Sequence, residues 1–326
     1  MIPSAQLYIS MYHYVRDLPR TRFPEIKGML TDDFAVQVKQ LRTDFEMATL
    51  ESALEFMIGN YHPRRNLCLM TFDDGLKEHF NEVTPILAES SIQGLFFLIS
   101  ACVQDRTVAP VHMNHFLMAH LDFAKYQQLF LGALQNAGFE NAIYDGLDAT
   151  IYKRTYPRDS EEIARFKYLF NFILDAEQRD RIVKDLFESW VAPQREFSEE
   201  LYLSWSEARE MQQAGMVIGG HSHTHRPLAK LTGAELQFDL ENCWNLITAN
   251  LLPQARWPFC YPYGKTDSFN HEAAVTLKRL GFACSFATEA GTNQSGANLY
   301  ALRRFDCKDI LSDYQRRSEE LLTIPS

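Results

Sequence analysis

The sequence predicts an α/β fold, a parallel sheet or barrel interrupted by an all-helical insertion. Three observations lead there. Short, almost continuously apolar runs recur along the chain, as expected of parallel strands covered on both faces. Well-marked helices alternate with those runs. Between about residues 104 and 200 the alternation stops and only helical spacing of Phe, Leu and Tyr remains. A length of 326 residues allows two domains, and a barrel carrying an insertion fits it equally well.

The elements follow in order. Leu7–Tyr12 reads as a strand that ends at His13. Asn66–Phe72 is an apolar run stopped by Asp73-Asp74-Gly75, and Gly94–Ile99 is another run of the same kind. The insertion holds helical segments at Phe116–Leu121, Phe123–Ala137, Ser160–Leu174 (with Ser160 as N-cap) and Asp175–Trp190. Its aromatics Phe166, Tyr168, Phe170 and Phe172 fit a core of their own, a pocket cap or a dimer face. A helix then opens on the capping box Ser204-x-x-Glu207 and closes at Gly215, before a strand at Met216–Ile218. Thr232, with Glu235 three positions on, caps a helix whose apolar face is Leu236, Leu240, Trp244 and Ile247. Phe259–Tyr261 reads as a strand before Pro262, Ala273–Leu280 as a helix closing on Gly281, and Phe282–Ala287 as a strand. Tyr300–Leu302 reads as the last strand, followed by a polar helix. The domain boundaries expected are a barrel over 1–103 and 200–326, with an insertion over 104–199 packed on it.

Composition narrows the function. The formal charge is −10, from 32 basic and 42 acidic residues, and no Lys/Arg block exceeds two neighbours. A nucleic-acid binder displays a basic stripe, and none is visible. The six cysteines lie singly, several inside apolar runs, which suits buried free thiols. Met1–Gln6 has neither a basic n-region nor an apolar h-region, and no stretch approaches the ~20 apolar residues that span a bilayer. The expected location is therefore the cytoplasm, with no integral membrane segment.

Three clusters at predicted strand ends carry the chemistry, and each alone reads equally as an ordinary turn or loop. In Thr71-Phe72-Asp73-Asp74-Gly75, two carboxylates on a turning chain point apart, so one can ligate a metal while the other acts as a base. In His221-Ser222-His223-Thr224-His225, the outer imidazoles face one side if the segment coils, and His223 points away. Two imidazoles and a carboxylate make three zinc ligands and leave open positions. In Tyr261-Pro262-Tyr263-Gly264, a rigid Pro followed by Gly can aim a backbone N–H into a pocket, as an oxyanion donor requires.

Taken together and in this order, the three clusters resemble the polysaccharide deacetylase family (the NodB-homology group, carbohydrate esterase family four). Met11-Tyr12-His13-Tyr14-Val15 is similar to the family's opening strand, Phe96-Phe97 to its second, and Leu203–Gly215 to the helix before its histidine motif. The likeness covers about residues 5–103 and 200–306. It implies a distorted (β/α) barrel of seven or eight strands that removes acetyl groups with a divalent metal, most often zinc. Carried over, Asp74, His221 and His225 are the ligands and Asp73 is the base. The Tyr263 N–H holds the oxyanion, with Pro262 at the substrate.

Three departures stand out, one of them the lack of the family's fourth, Asp-Trp motif. Where many members have an Arg in the third motif, this chain has Cys260, and Leu302–Asp306 lacks the late His that serves as acid. Arg304 is the expected replacement for the positive charge, and His13 for the acid. His112, with His115, opens the insertion and is placed at the substrate cleft. The expected function is a metal-dependent amidohydrolase that removes an N-acetyl group from an amino sugar or sugar conjugate in surface-glycan biosynthesis. Its partner is a small-molecule or oligosaccharide amide. A non-carbohydrate amide or imide on the same barrel is the alternative substrate, and an inactive glycan-binding protein the alternative class.

Overall fold

The computed structural model describes residues 5–138 and 144–322; Met1–Ser4, most of the segment read above for a signal peptide, lie outside them. The chain divides into two compact units, one of Met1–Asp17, Gly28–Asp105 and Leu201–Ser326, the other of Leu18–Lys27 and Arg106–Glu200.

The first unit is a curled, wholly parallel sheet. Its strands are β1 (Leu7–Tyr12), β2 (Glu46–Met47), β3 (Leu67–Phe72), β4 (Gly94–Leu98), β5 (Val217–Gly220), β6 (Pro258–Cys260), β7 (Cys284–Phe286) and β8 (Phe305–Asp306). They lie in the order β7-β6-β5-β4-β3-β1-β8, with β2 also on β3. Leu302 bridges to Phe286 of β7, and a few residues later β8 pairs with β1, so one segment touches both edges. This is the distorted (β/α) barrel expected.

The apolar runs explain why. With a period of two, each strand feeds two cores at once. Leu7 and Ile9, Leu67 and Leu69, and Leu95 and Phe97 join Cys260, Cys284, Phe286 and Leu302 in one cluster, closed by the helix Leu50–Met57. Tyr8 and Tyr12, Cys68, Met70 and Phe72, and Phe96 and Leu98 join a second cluster under the outer helices. Those helices include α1 (Thr31–Asp44), α2 (Leu50–Met57), α3 (Thr84–Glu89) and α4 (Ser100–Asp105).

The second unit supplies α5 (Pro110–His120), α6 (Phe123–Asn136), α7 (Ala149–Thr155), α8 (Glu161–Tyr168), α9 (Ala176–Trp190) and α10 (Gln194–Leu201). It has its own core. Phe166 and Phe170 are buried against Tyr126 and Phe130, and Phe23, Phe116, Phe187 and Phe197 form a second ring cluster. Ser160 caps α8 through the Ile163 N–H, as its position predicts.

Back in the first unit come α11 (Trp205–Gln213), α12 (Gly233–Asn250), α13 (His271–Leu280) and α14 (Ile310–Leu322). Both predicted capping boxes form, at Ser204/Glu207 and Thr232/Glu235, and Gly281 ends α13 in the left-handed conformation at φ 109°. One strand is corrected. Tyr300 and Ala301 are not a strand, because Asn298 bends the chain by accepting the Tyr300 N–H, and the last strand is Phe305–Asp306.

Candidate active site

All three clusters sit at the carboxyl ends of strands, where reacting groups converge in barrels. Tyr12 pairs with Phe72 in register, so His13 and Asp73 leave adjacent strands side by side. Leu98 pairs with Gly220, and the His221 N–H donates to the Leu98 carbonyl at 2.9 Å. The two glycines of β5 permit this closeness: a Cβ on Gly219 would stand 2.4 Å from the Pro258 carbonyl oxygen, and one on Gly220 would stand 2.8 Å from Cys243 Sγ.

Asp74, His221 and His225 meet, although 147 residues (221 − 74) separate the first two. Asp74 Oδ1 lies 3.4 Å from Nε2 of each histidine. The two imidazole rings stand 4.8 Å apart, edge to face. All three residues are buried. The donor set fits a zinc-like ion on two counts. Two ligands each about 2.0–2.1 Å from an ion at a tetrahedral angle stand about 3.4 Å apart. The ring orientation is also right: His221 Nδ1 donates to the Cys260 carbonyl at 2.8 Å, which leaves Nε2, facing Asp74, as the atom for a metal.

Backbone strain marks the same place. Of six non-glycine residues with positive φ among those described, four are Asp74 (77°), Ser222 (62°), His225 (56°) and Tyr263 (61°). Such conformations cost about 1–3 kcal/mol each and persist where the surroundings over-determine them. For the histidine loop the surroundings are explicit. Asp239 of α12 accepts from the main-chain N–H groups of His223 and Thr224, both at 2.9 Å. Ser222 Oγ accepts the His225 N–H at 2.8 Å, and α4 donates from Ser100 and Ala101 to the Ser222 and His223 carbonyls. His223 points away from the ligands, with Nδ1 3.0 Å from Ser100 Oγ.

Asp73 is buried next to Asp74 and is gripped by Arg304. Nη1 donates to Oδ1 and Nη2 to Oδ2, each at 2.7 Å. Arg304 is itself 1% exposed, and its five N–H groups have five acceptors: the two carboxylate oxygens, Thr71 Oγ1, Cys260 Sγ and the Ala287 carbonyl. Burial alone would raise the Asp73 carboxyl. The Arg304 charge and hydrogen bonds outweigh it and, with smaller help from His221 and His13, hold it at about 2. Burial also pushes the Cys260 thiol up, which leaves a neutral sulfur beside the guanidinium. His13 completes the group: its side chain is 43% exposed and its Nε2 stands 3.8 Å from Asp73 Oδ2.

The third cluster arrives beside the ligands. The Tyr263 ring lies 5.2 Å from that of His225, and a tight turn from Gly264 N–H to the Pro262 carbonyl, at 2.7 Å, shapes the loop. His112 belongs to the second unit, buried in α5 with its ring 5.9 Å from that of His115. Asp239 went unread in the sequence, although a carboxylate between Leu236 and Leu240 on an apolar helix face is itself a signal. Among the described residues, no helix is long and apolar enough to cross a membrane.

Residues 175–285 match the family model for polysaccharide deacetylase, a stretch that holds His221, His225 and Tyr263. No curated protein matches the sequence. Among solved structures, IcaB from Ammonifex degensii superposes over 96% of this chain and 97% of its own, with a TM-score of 0.58 and 19% identity. The deacetylase PplD from Streptococcus pyogenes, solved with acetate, covers 95% of this chain and 98% of its own at a TM-score of 0.57 and 13% identity. A de-N-acetylase from Aggregatibacter actinomycetemcomitans covers 95% and 99% at the same TM-score and identity. At these identities the likeness shows a common fold. Residues 175–285 thus match the polysaccharide deacetylase model, and the barrel is a fold shared with solved deacetylases.

Proposed function

We propose that the protein is a metal-dependent amidohydrolase that removes an N-acetyl group from an amino sugar or sugar conjugate of surface-glycan biosynthesis. The observation that carries this reading is the meeting of Asp74, His221 and His225 around one point, directly beside an ionised Asp73. A pure binding protein has no use for that second carboxylate. The family match and the solved deacetylases that share this fold support the amide-hydrolase class, and the acetate held by PplD is the product expected here.

Asp74, His221 and His225 would hold the ion. When bound, a divalent cation, zinc in this reading, supplies Lewis acidity toward the carbonyl oxygen and brings the pKa of water toward ~7. Asp73 takes a proton from the attacking water as the oxygen bonds to the acetyl carbon. A carboxylate held at about 2 releases that proton readily, and His13 Nε2 stands 3.8 Å away to receive it. The Tyr263 N–H donates to the developing oxyanion, an interaction typically worth about 3–4 kcal/mol of barrier. As the C–N bond breaks, His13 protonates the leaving nitrogen, which gives acetate and a free amine. Arg304, from the segment just before β8, orients Asp73 as the third-motif arginine of many polysaccharide deacetylases orients the base, with Cys260 leaving room for it. The six cysteines are all free thiols, which suits a reducing compartment and keeps the cytoplasm as the proposed location.

The test is acetate release from N-acetylated hexosamines, nucleotide-linked and oligomeric, by zinc- or cobalt-loaded protein. Release that disappears in Asp73→Asn supports the reading. Turnover of cyclic imides without acetate release would move it to the non-carbohydrate amide alternative. Sugar binding without turnover of either substrate would leave the glycan-binding alternative.

A further inference from the structure

A further buried histidine, His79, follows the paired aspartates, and the chemistry above leaves it without a role. His79 begins a π-helical turn, His79–Val83, and is wholly buried. π turns are rare and gather at functional sites. Thr84 Oγ1 donates to the His79 carbonyl at 2.7 Å, which fixes this turn. The ring packs beside the stacked pair Phe72 and Phe96, at centroid distances of 5.6 and 5.5 Å. Burial holds it down at about 4, so the imidazole is neutral at pH 7.

The His79 ring is aimed at His13. Nε2 stands 2.9 Å from the His13 main-chain oxygen. A carbonyl only accepts, so Nε2 carries the proton and Nδ1 is bare. Among the described residues Nδ1 has no hydrogen-bond partner, a cost that packing alone does not require, since a phenylalanine would fill the same aromatic slot. The chain around His13 is thus held at two successive carbonyls: Tyr12 accepts from the Asp73 N–H at 2.9 Å, and His13 accepts from His79. Among the described residues, the half-exposed His13 side chain approaches Asp73 at 3.8 Å.

We propose that His79 is a positioning residue for His13. Its ring N–H fixes the His13 peptide, so that the imidazole stays within reach of Asp73 and of the departing nitrogen. The inference rests on His13 being the proton donor of the proposed reaction.

The test compares variants that separate packing from hydrogen bonding. His79→Phe keeps an aromatic ring and loses the donor; His79→Gln keeps an N–H near the Nε2 position. His79→Phe is expected to lower kcat about 10- to 100-fold, the scale of a catalytic group misplaced by about an ångström. KM should stay within about twofold and zinc content should not change. His79→Gln should recover most of the loss. Should His79→Phe not fold, His79→Asn, too short to reach the carbonyl, gives the same contrast with His79→Gln. In a His13→Ala background, the His79 variants should cost nothing further. Unchanged kcat in His79→Phe, or an equal loss with and without His13, would overturn the positioning role alone. Full turnover in His13→Ala would overturn the proton-donor reading, and the positioning role with it.

Discussion

Arg304 and Asp73, 231 positions apart in the chain, join through two parallel 2.7 Å hydrogen bonds with both side chains buried. A buried fork of this kind is stable only because every donor is matched, and removing one partner strands the other's charge. Arg304→Met is therefore expected to destabilise the fold by about 3–5 kcal/mol. Arg304→Lys keeps the charge but not the two-pronged contact, and should fold with a smaller loss. In the lysine variant burial acts on Asp73 with less opposition, so the acid limb of kcat/KM should move to higher pH. Urea melts and a pH–rate profile of the two variants check both halves. An unchanged acid limb in Arg304→Lys would mean that Asp73 does not set it.

The same pair makes stability depend on pH. The Asp73 carboxyl falls from its usual 3.8 to about 2 on folding, so it stabilises the native state above the unfolded value. That contribution, about 2 kcal/mol, is complete above pH ~4 and fades as pH falls toward 2. Urea unfolding of chelator-treated wild type and Asp73→Asn, at pH 5 and again near pH 2.5, should show the gap between them narrowing by about this amount. A constant gap would contradict the assignment.

Ligand and base are separable by substitution. Asp74→Ala, His221→Ala and His225→Ala should each weaken zinc binding by more than about 100-fold, beyond the loss seen when only supporting groups are removed. Asp73→Asn should keep the metal and lose turnover. Thermal melts report this directly. Zinc at a hundred times its Kd should add about 2.7 kcal/mol of stability to wild type and to Asp73→Asn, and almost none to the ligand variants. Stabilisation of His225→Ala equal to that of wild type would remove His225 from the site.

The sequence disclosed the site where chemistry needs distinctive residue types at fixed spacing. Asp73-Asp74-Gly75 and the histidine triplet, each an ordinary turn or loop by itself, could be read because they occur together, in order, at strand ends. The parallel sheet could be read because its strands are apolar on both faces. What stayed hidden has no local signature. The left-handed backbone at Asp74, Ser222, His225 and Tyr263 falls on residues that rarely adopt it, so no glycine announces it. Leu18–Lys27 clusters with the helical unit through Phe23 meeting Phe116 and Phe197, contacts that no periodicity encodes. The last strand was expected a few residues early because Tyr-Ala-Leu looks like β structure until Asn298 is seen turning it. Arg304 was expected near Asp73 from its place after a strand, whereas its saturation by Thr71, Cys260 and Ala287 is purely tertiary.

Asp239 offers a measure of how far support for the histidine loop reaches. Its carboxylate lies on the buried face of α12 and accepts from the main-chain N–H groups of His223 and Thr224 and from the Thr224 hydroxyl. These contacts flank His225, whose φ of 56° is unfavourable without them. Asp239→Ala leaves buried donors unpaired, at about 1–3 kcal/mol, and lets the loop relax away from that conformation. Zinc affinity should fall about 10- to 100-fold, although Asp239 is not one of the residues that meet around the ion. Asp239→Asn keeps one acceptor oxygen and should fall between the alanine variant and wild type. Parallel zinc titrations and urea melts on the three proteins decide the matter: loss of stability with unchanged zinc affinity would show that the loop holds its shape without help from α12.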